Sequence, residues 1–558
     1  LGTWTAYIPL SNATSICQSK DYVYAACNYG VIGVNIDNNF IEKYTKVNGL
    51  AEVFVSQVGY DTTTSTLVIT YQNSNIDLIQ NGKITNLPYL KDAAIAGNKN
   101  IYSVYCTNGI AYIGTGFGLL KVDLLKKEIS ETYTFKIGAN NLRTNAIWAN
   151  KDVIFCATSN GVLSGRVAPN INLLDFNNWT QYASGIPQNN ASAITQYQGN
   201  IIAAIDNILY QFDGTNWTTF FLEVDWITMH LNNSNGQLLI SQYKVIGGNV
   251  QDKRIGKWNG TNFTYIASQF DIERPMQILN DKNGNFWHAD EFRGLIRQQS
   301  NGNLSSVIPN APYTINGKEM DYSDGTVWTT SSAIKNGWNP TGVPTAKTFS
   351  AYKNGEWRNY TPYEFSWLDS IDLISVVKVL PNENKVLFGG ASFADGGILE
   401  FSPSDNSYKI TKTAPSVSAS FRITGADVDA QGNTWFSNAY SGGASIICRK
   451  NDGNYTYFNS GFLNGMLVKD ILVDDNNQIW IAKENSTGGI VVLNYGNDID
   501  DKTDDQYFNL AAGSGFGNLP VNNVICMAKD KDGVIWFGTT EGIAVVPCAG
   551  YVADNACE

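Results

Sequence analysis

One spacing recurs along this 558-residue chain: an Asp opens a polar turn and an aromatic follows six positions later. It occurs as Asp281 and Trp287 in DKNGNFWHADEFRGLIR, and as Asp429 and Trp435 in DAQGNTWFSNAYSGGASII. It returns as Asp474 and Trp480 in DDNNQIWIAKENSTGGIVVL, and as Asp530 and Trp536 in DKDGVIWFGTTEGIAVV. SDGTVWTTSS keeps the turn and Trp328, while NENKVLFGGASFADGGILEF puts Phe388 in the aromatic place. A fixed internal spacing at intervals of roughly 40 to 60 residues is the mark of a repeat architecture.

Worn copies precede these: DYVYAACNYGVIGVNID, STLVITYQNSNIDLIQNG, NGIAYIGTGFGLLKVD, KDVIFCATSNGVLSGRV, GNIIAAIDNILYQFDG and NGQLLISQYKVIGG bring the count to twelve units. Each unit runs apolar strand, polar turn, aromatic-rich strand, glycine turn, third strand, and an amphipathic fourth such as NWTQYAS, NWTTFFL, NFTYIAS or EWRNYTP. Four antiparallel strands repeated radially describe the blade of a β-propeller, so the fold class is all-β. Asp can bond its own backbone and Gly accepts positive φ, which suits the Asp-x-x-Gly turn between the first two strands. The tryptophan is then expected to fill the wedge between neighbouring blades.

Twelve blades make too wide a single ring, so two propellers of about six or seven four-stranded blades each are expected. Pro309, Pro312 and Gly317 interrupt the pattern near 307–320, which places a first propeller at 1–310, a second at 311–547 and a tail at 548–558. The last unit ends at GIAVVP without a fourth strand, whereas the chain begins with WTAYIP, which looks like a fourth strand lacking its first three. Pairing residues 3–8 with 542–547 would close the second ring and hide both edges.

Composition agrees: 29 Tyr, 25 Phe, 14 Trp and 51 Gly, with charged residues at 16%, favour strands and turns over long amphipathic helices. A formal charge of −12 offers no basic stripe to a nucleic acid. Nothing approaches the roughly 18 uninterrupted apolar residues of a membrane-spanning helix. The opening at Leu1 rather than an initiator Met is expected of a processed or trimmed product.

Most of the eight cysteines, Cys106 and Cys156 among them, sit singly in strand-like runs and are expected as small buried hydrophobes. Cys548 and Cys557, in PCAGYVADNACE, are placed for a short disulfide loop, which would put the protein outside the reducing cytoplasm.

The search for chemistry finds little. VDAQGNTW approaches the Ser-x-Asp-x-Gly-x-Thr-Trp turn of sialidase-like hydrolases, but Asp429 and Gly432 are three apart and the Ser is missing, so it is taken as an ordinary blade turn. Only His230 and His288 exist, which excludes a multi-histidine metal centre, and His288, on the strand face opposite Trp287, is expected to be structural or solvated. NDIDDKTDDQYF gathers Asp498, Asp500, Asp501, Asp504 and Asp505, a set that could hold Ca²⁺ or, alternatively, form a solvated charged loop. NGWNPTG, 336–342, is a rim loop whose aromatic and Asn side chains could meet sugars, or merely water.

The unit LPVNNVICMAKDKDGVIWFGTTEGIAVV resembles the regulator-propeller repeat of Bacteroidetes proteins, found in extracytoplasmic sensor halves of hybrid two-component systems. LGTWTAYIPLSNATSICQSKDYVYAACNYGVIGVN near the start, and DIDDKTDDQYFNLAAGSGFGNLPVNNVICMAKDKDGVIWFGTTEGIAVV near the end, resemble PorZ-type proteins of the type IX secretion system. That resemblance implies a two-propeller cell-surface protein without enzymatic activity, acting with an attachment complex whose sortase joins cargo to anionic lipopolysaccharide. It also implies further propeller sequence and a β-sandwich sorting domain beyond Glu558. The expected function is therefore a non-enzymatic binding scaffold at the cell surface or in the periplasm, holding protein partners or a glycolipid. The alternative is a ligand-sensing domain of a hybrid histidine kinase. A carbohydrate-active enzyme would need a converging acid and base, which the sequence does not offer.

Overall fold

In a computed structural model of the chain, the described residues are 4–552, apart from 96, 268–270, 333, 336–338, 341–343, 416, 418, 485–487, 516 and 550–551. They divide between Ala311 and Pro312 into two units. Strands take about half of the chain and helix almost none.

The first unit holds seven four-stranded antiparallel sheets, numbered here 1 to 7: residues 15–44, 55–87, 101–134, 144–181, 191–222, 226–267 and 275–307. In each, the strands pair in chain order, so the first strand lies at one edge and the fourth at the other. Seven apolar clusters fill the seams between successive sheets. The seventh joins Leu279, Trp287, Ala289 and Leu295 of sheet 7 to Val23, Ala25, Ile32 and Val34 of sheet 1. Seven seams for seven sheets make a closed ring, which confirms a propeller with no free blade face.

The second unit holds sheets 8 to 12: 320–360, 374–411, 423–458, 468–510 and 524–546. The boundary leaves seven sheets before it and five among the described residues after it. Sheet 12 has three described strands rather than four. Four clusters fill the seams 8/9, 9/10, 10/11 and 11/12, and among the described residues none joins 12 to 8.

Residues 4–8 form no strand, and Gly542–Val546 pairs only with Ile535–Thr539, so the expected terminal pairing is not present among the described residues. The physical reason lies in the first unit. Leu10 and Ala13 are buried in the 7/1 seam, where the Ala13 N–H donates to the Asp290 carbonyl at 2.9 Å, and sheet 1 already has its own four strands.

The tryptophans occupy the wedges expected of them. Trp287, Trp435 and Trp480 are fully buried in the 7/1, 10/11 and 11/12 seams, and Trp328 lies in 8/9. The Asp that opens each turn does more than bend the chain. Asp429 Oδ1 accepts from the N–H of Gln431 and Asn433, while its Oδ2 accepts from Trp435 Nε1 at 2.9 Å. Asp281, Asp474 and Asp530 clasp their tryptophans in the same way. The fourth turn residue has positive φ each time, as Gly284 (79°), Gly432 (84°) and Gly533 (78°), with Asn477 (62°) in the remaining copy. Asn is among the few side chains that tolerate this region.

Cys27, Cys156 and Cys448 are buried as expected, Cys17 and Cys106 half-buried, but Cys526 is exposed on sheet 12. All six are free thiols. Cys548 is disulfide-bonded, and Cys557, its expected partner, lies outside the described residues.

Candidate functional site: the axial cavity of the first unit

Six of the seven first strands of this ring carry a bulge, five of them one residue in and that of Trp226–Ser234 three residues in. Ser56, Tyr102, Asn145, Ser192, Met229 and Met276 are each skipped by the pairing of their strand with the second. A bulged residue leaves the ladder and is re-aimed. All but Ser56 line a cavity of about 480 Å³ that every sheet of the ring borders, from Thr14 beside sheet 1 to Gln277 in sheet 7. A second cavity of about 280 Å³, lined by later residues of the first strands of sheets 1, 2, 3, 6 and 7, shares Val104, Tyr105, His230, Asn232 and Gln277 with it. The two form one axial passage.

The wider cavity is amide-rich. Arg143 Nε donates to Asn145 Oδ1 at 2.6 Å, and Arg143 Nη2 and Asn145 Nδ2 both donate to Asn190 Oδ1, at 3.1 and 3.0 Å. The guanidinium lies 5.1 Å from the centre of the Tyr102 ring. Gln277 Oε1 accepts from the Ile16 N–H at 2.8 Å and Asn232 Nδ2 donates to the Ile278 carbonyl at 2.9 Å, so lining residues also staple neighbouring sheets. Ser103 Oγ and Asn233 Oδ1 are buried on this passage without a protein partner. Buried polar atoms left open in this way are satisfied by water or a ligand.

In a chain of charge −12, no Asp or Glu lines either cavity, and Arg143 is the one charged side chain there among the described residues. His230 Nδ1 accepts from the Ile278 N–H at 3.4 Å, which leaves the ring proton on Nε2. Burial pushes its pKa down to about 4, so it is neutral. With no carboxylate beside it, the passage offers no acid and base pair; it offers hydrogen-bond donors and acceptors around one cation.

The acidic run does not assemble a metal site. Asp500 pairs with Lys450 at 2.8 Å, Asp501 Oδ1 accepts from Thr503 N and Oγ1, Asp498 Oδ1 accepts from Asp500 N, and Asp504 Oδ2 from Asn497 N. Burial raises the Asp505 carboxyl. Lys502, over the Phe458 ring, supplies a second cation. Among the described residues no three carboxylates, thiols or imidazoles come close enough to hold an ion, so the Ca²⁺ expectation is not met by the geometry. Trp338 and most of the loop 336–342 lie outside the described residues. Asp429 is engaged by its own turn, which makes VDAQGNTW a blade turn.

The lining residues were missed in the sequence because they sit inside apolar strands. The available signal was a polar second residue in some first strands, Asn145 in TNAI and Ser192 in ASAI, where alternation within a blade calls for nothing special.

Residues 23–180 match the family model of the PorZ N-terminal β-propeller domain of type IX secretion, and 518–541 match the two component regulator propeller. Both resemblances expected from the sequence are met by these matches. No curated protein matches the chain in sequence. Among solved structures, the chain aligns with PorZ of Porphyromonas gingivalis, described as an essential bacterial surface component of the type-IX secretion system. The identity is 17%, the alignment covers 100% of this chain and 74% of that one, and the TM-score is 0.76, which shows a shared fold. The extracellular domain described for the hybrid two component system BT3049 of B. thetaiotaomicron is 14% identical over 98% of this chain and 76% of that one. Its TM-score of 0.38 carries no structural argument.

Proposed function

We propose that this chain is a non-enzymatic extracytoplasmic scaffold of the type IX secretion apparatus, which presents the mouth of its first ring to an anionic glycolipid or to partners in a surface attachment complex. The observation that carries this reading is the match of residues 23–180, which lie within the ring that holds the cavity, to the PorZ N-terminal propeller. The half-disulfide at Cys548 supports an oxidising compartment. The absence of acidic side chains along the described lining, with Arg143 at the mouth, supports an anionic or neutral polyhydroxylated ligand over a cationic one. Amide side chains and an aromatic face supply paired hydrogen bonds and a stacking surface, and closed seams hold them still.

Lipopolysaccharide-coated beads test it. The protein is expected to be retained, and Arg143→Ala with Asn145→Ala to lose retention at least tenfold while keeping the parent melting temperature. Equal retention of the double variant would reject the mouth as the binding face. No retention of the parent on any anionic or neutral glycan would reject the glycan partner. A second reading, a sensor domain of a two-component system, is supported by the match at 518–541. It predicts that the gene continues into a membrane span and a kinase, which sequencing across the locus decides.

A further inference from the structure

The chain has two histidines in 558 residues, and both lie at one of the seven seams of the first ring. His230, on Trp226–Ser234 of sheet 6, accepts the N–H of Ile278, on Pro275–Asn280 of sheet 7. His288, on Phe286–Asp290, stands opposite that same Ile278 and opposite Ile296 in the sheet register. Ile278 and Ile296 pack with Leu239 and Ile255 of sheet 6, so His288 faces the 6/7 seam. It is fully buried, and neither ring nitrogen has a partner within bonding geometry.

We propose that the 6/7 seam is an acid-operated hinge, in which protonation of His230 and His288 parts sheet 6 from sheet 7 and opens the axial passage between them. The chemistry differs at the two rings. A proton on His230 Nδ1 turns an acceptor into a donor that faces the Ile278 N–H, so the one direct bond from this imidazole to sheet 7 is lost. A proton on His288 places a cation in a seam where Gln298 offers a neutral amide oxygen but no counter-charge, and an unpaired charge there is strongly disfavoured.

No nearby carboxylate is free to answer either cation. Asp290, two residues from His288 on the same strand face, spends its oxygens on the backbone N–H of Glu273, Arg274, Phe292 and Arg293. Glu273 pairs with Lys253 of sheet 6 at 2.9 Å. Arg293 adds positive charge near His288, while from sheet 6 Lys257 lies over the Phe286 ring and Tyr243 bonds Met276. Around His230 the passage shows Arg143, Tyr60, Tyr105 and the thiols Cys17 and Cys106, with no acid. Burial pushes the pKa of His230 to about 4 and of His288 to about 3. Both folded values lie below the unfolded value near 6.5. The unfolded or opened state therefore binds more protons between about pH 6.5 and 4, and stability of the seam falls as pH falls through that window.

Selective ¹³C labelling of histidine gives two ring signals for the full chain. Both are expected to keep neutral-imidazole shifts at pH 5.5, where an ordinary histidine is about 90% protonated. Titration of either near pH 6.5 with the fold intact would overturn the proposal. Hydrogen exchange, corrected for intrinsic rates, is expected to show opening of 226–234 and 275–290 rising by up to about tenfold per pH unit for each histidine below pH 6. Sheets 2 to 5 should hold their protection. Exchange that rises evenly over the ring, or an unchanged acid response in His230→Gln with His288→Phe, would equally overturn it.

Discussion

Trp480 and Trp536 stand at the same place in the same turn, clasped by the same kind of bond, and only one of them is inside the protein. Their Nε1–H groups donate to Asp474 and Asp530 at 3.0 and 2.8 Å. Trp480 is 0% exposed and Trp536 45%. Sheet 12 covers the first; no described sheet covers the second. The turn therefore encodes half a seam. It fixes the indole against its own blade through one Asp, and the free energy of burial arrives only with the next blade. The closed ring collects that gain at all seven seams, the second unit at four.

The largest effect should separate the two tryptophans. Trp480→Ala or Trp435→Ala is expected to lower the stability of the second unit by about 3–5 kcal/mol, and Trp536→Ala by less than about 1 kcal/mol, read from urea denaturation. Equal costs would show that the clasp, not the seam, carries the energy. Next comes the clasp itself. Asp474→Ala strands buried donors and should cost about 2–3 kcal/mol by the same measurement, whereas Asp530→Ala, in solvent, should move the transition much less.

A smaller effect tests the seam beside Trp536. Asp470, at 11/12, accepts from the N–H of Met527 and Ile471, yet burial pushes its carboxyl up to about 6. The folded state thus binds more protons than the unfolded between about pH 4 and 6. Its contribution is most favourable at low pH and is lost as pH rises through 6. Asp470→Asn is expected to stabilise the second unit by about 1–2 kcal/mol at pH 7 and to flatten this response in a melting series from pH 4.5 to 7.5. The first ring, with its depressed imidazoles, should respond with the opposite sign over the same range. The smallest effect concerns 498–505: millimolar Ca²⁺ should leave the melting temperature unchanged, and a rise abolished by replacing all five aspartates with Asn would restore an ion site there.

Much of the blade was legible from local chemistry. Asp, a residue able to take positive φ, and an aromatic six positions on specify a turn and a wedge residue without reference to distant sequence, so twelve units became twelve sheets. The ring closure of the first unit was less legible, because it depends on how seven seams sum around an axis. The segment 3–8 misled because it has the alternation of a fourth strand, while Leu10 and Ala13, a few residues on, tie the chain into the 7/1 seam. Cys526 has the sequence setting of a buried cysteine and is exposed because sheet 12 has no described sheet beyond it. The cavity lining stayed hidden for a different reason: a bulge is a property of two paired strands, and the single strand TNAI does not announce which residue its partner will skip.

That skipped residue separates two jobs that adjoining positions in a strand usually share. Tyr102, Asn145, Ser192, Met229 and Met276 contribute to the bore without having a place in the ladder or at the centre of a seam cluster. Substitution at Tyr102 or Met229 changes what the passage offers a visitor without removing a bond between sheets, whereas Asn145 and Ser192 also donate to the Ala191 and Thr228 carbonyls of the next sheet, so there the fitting and the wall are altered together.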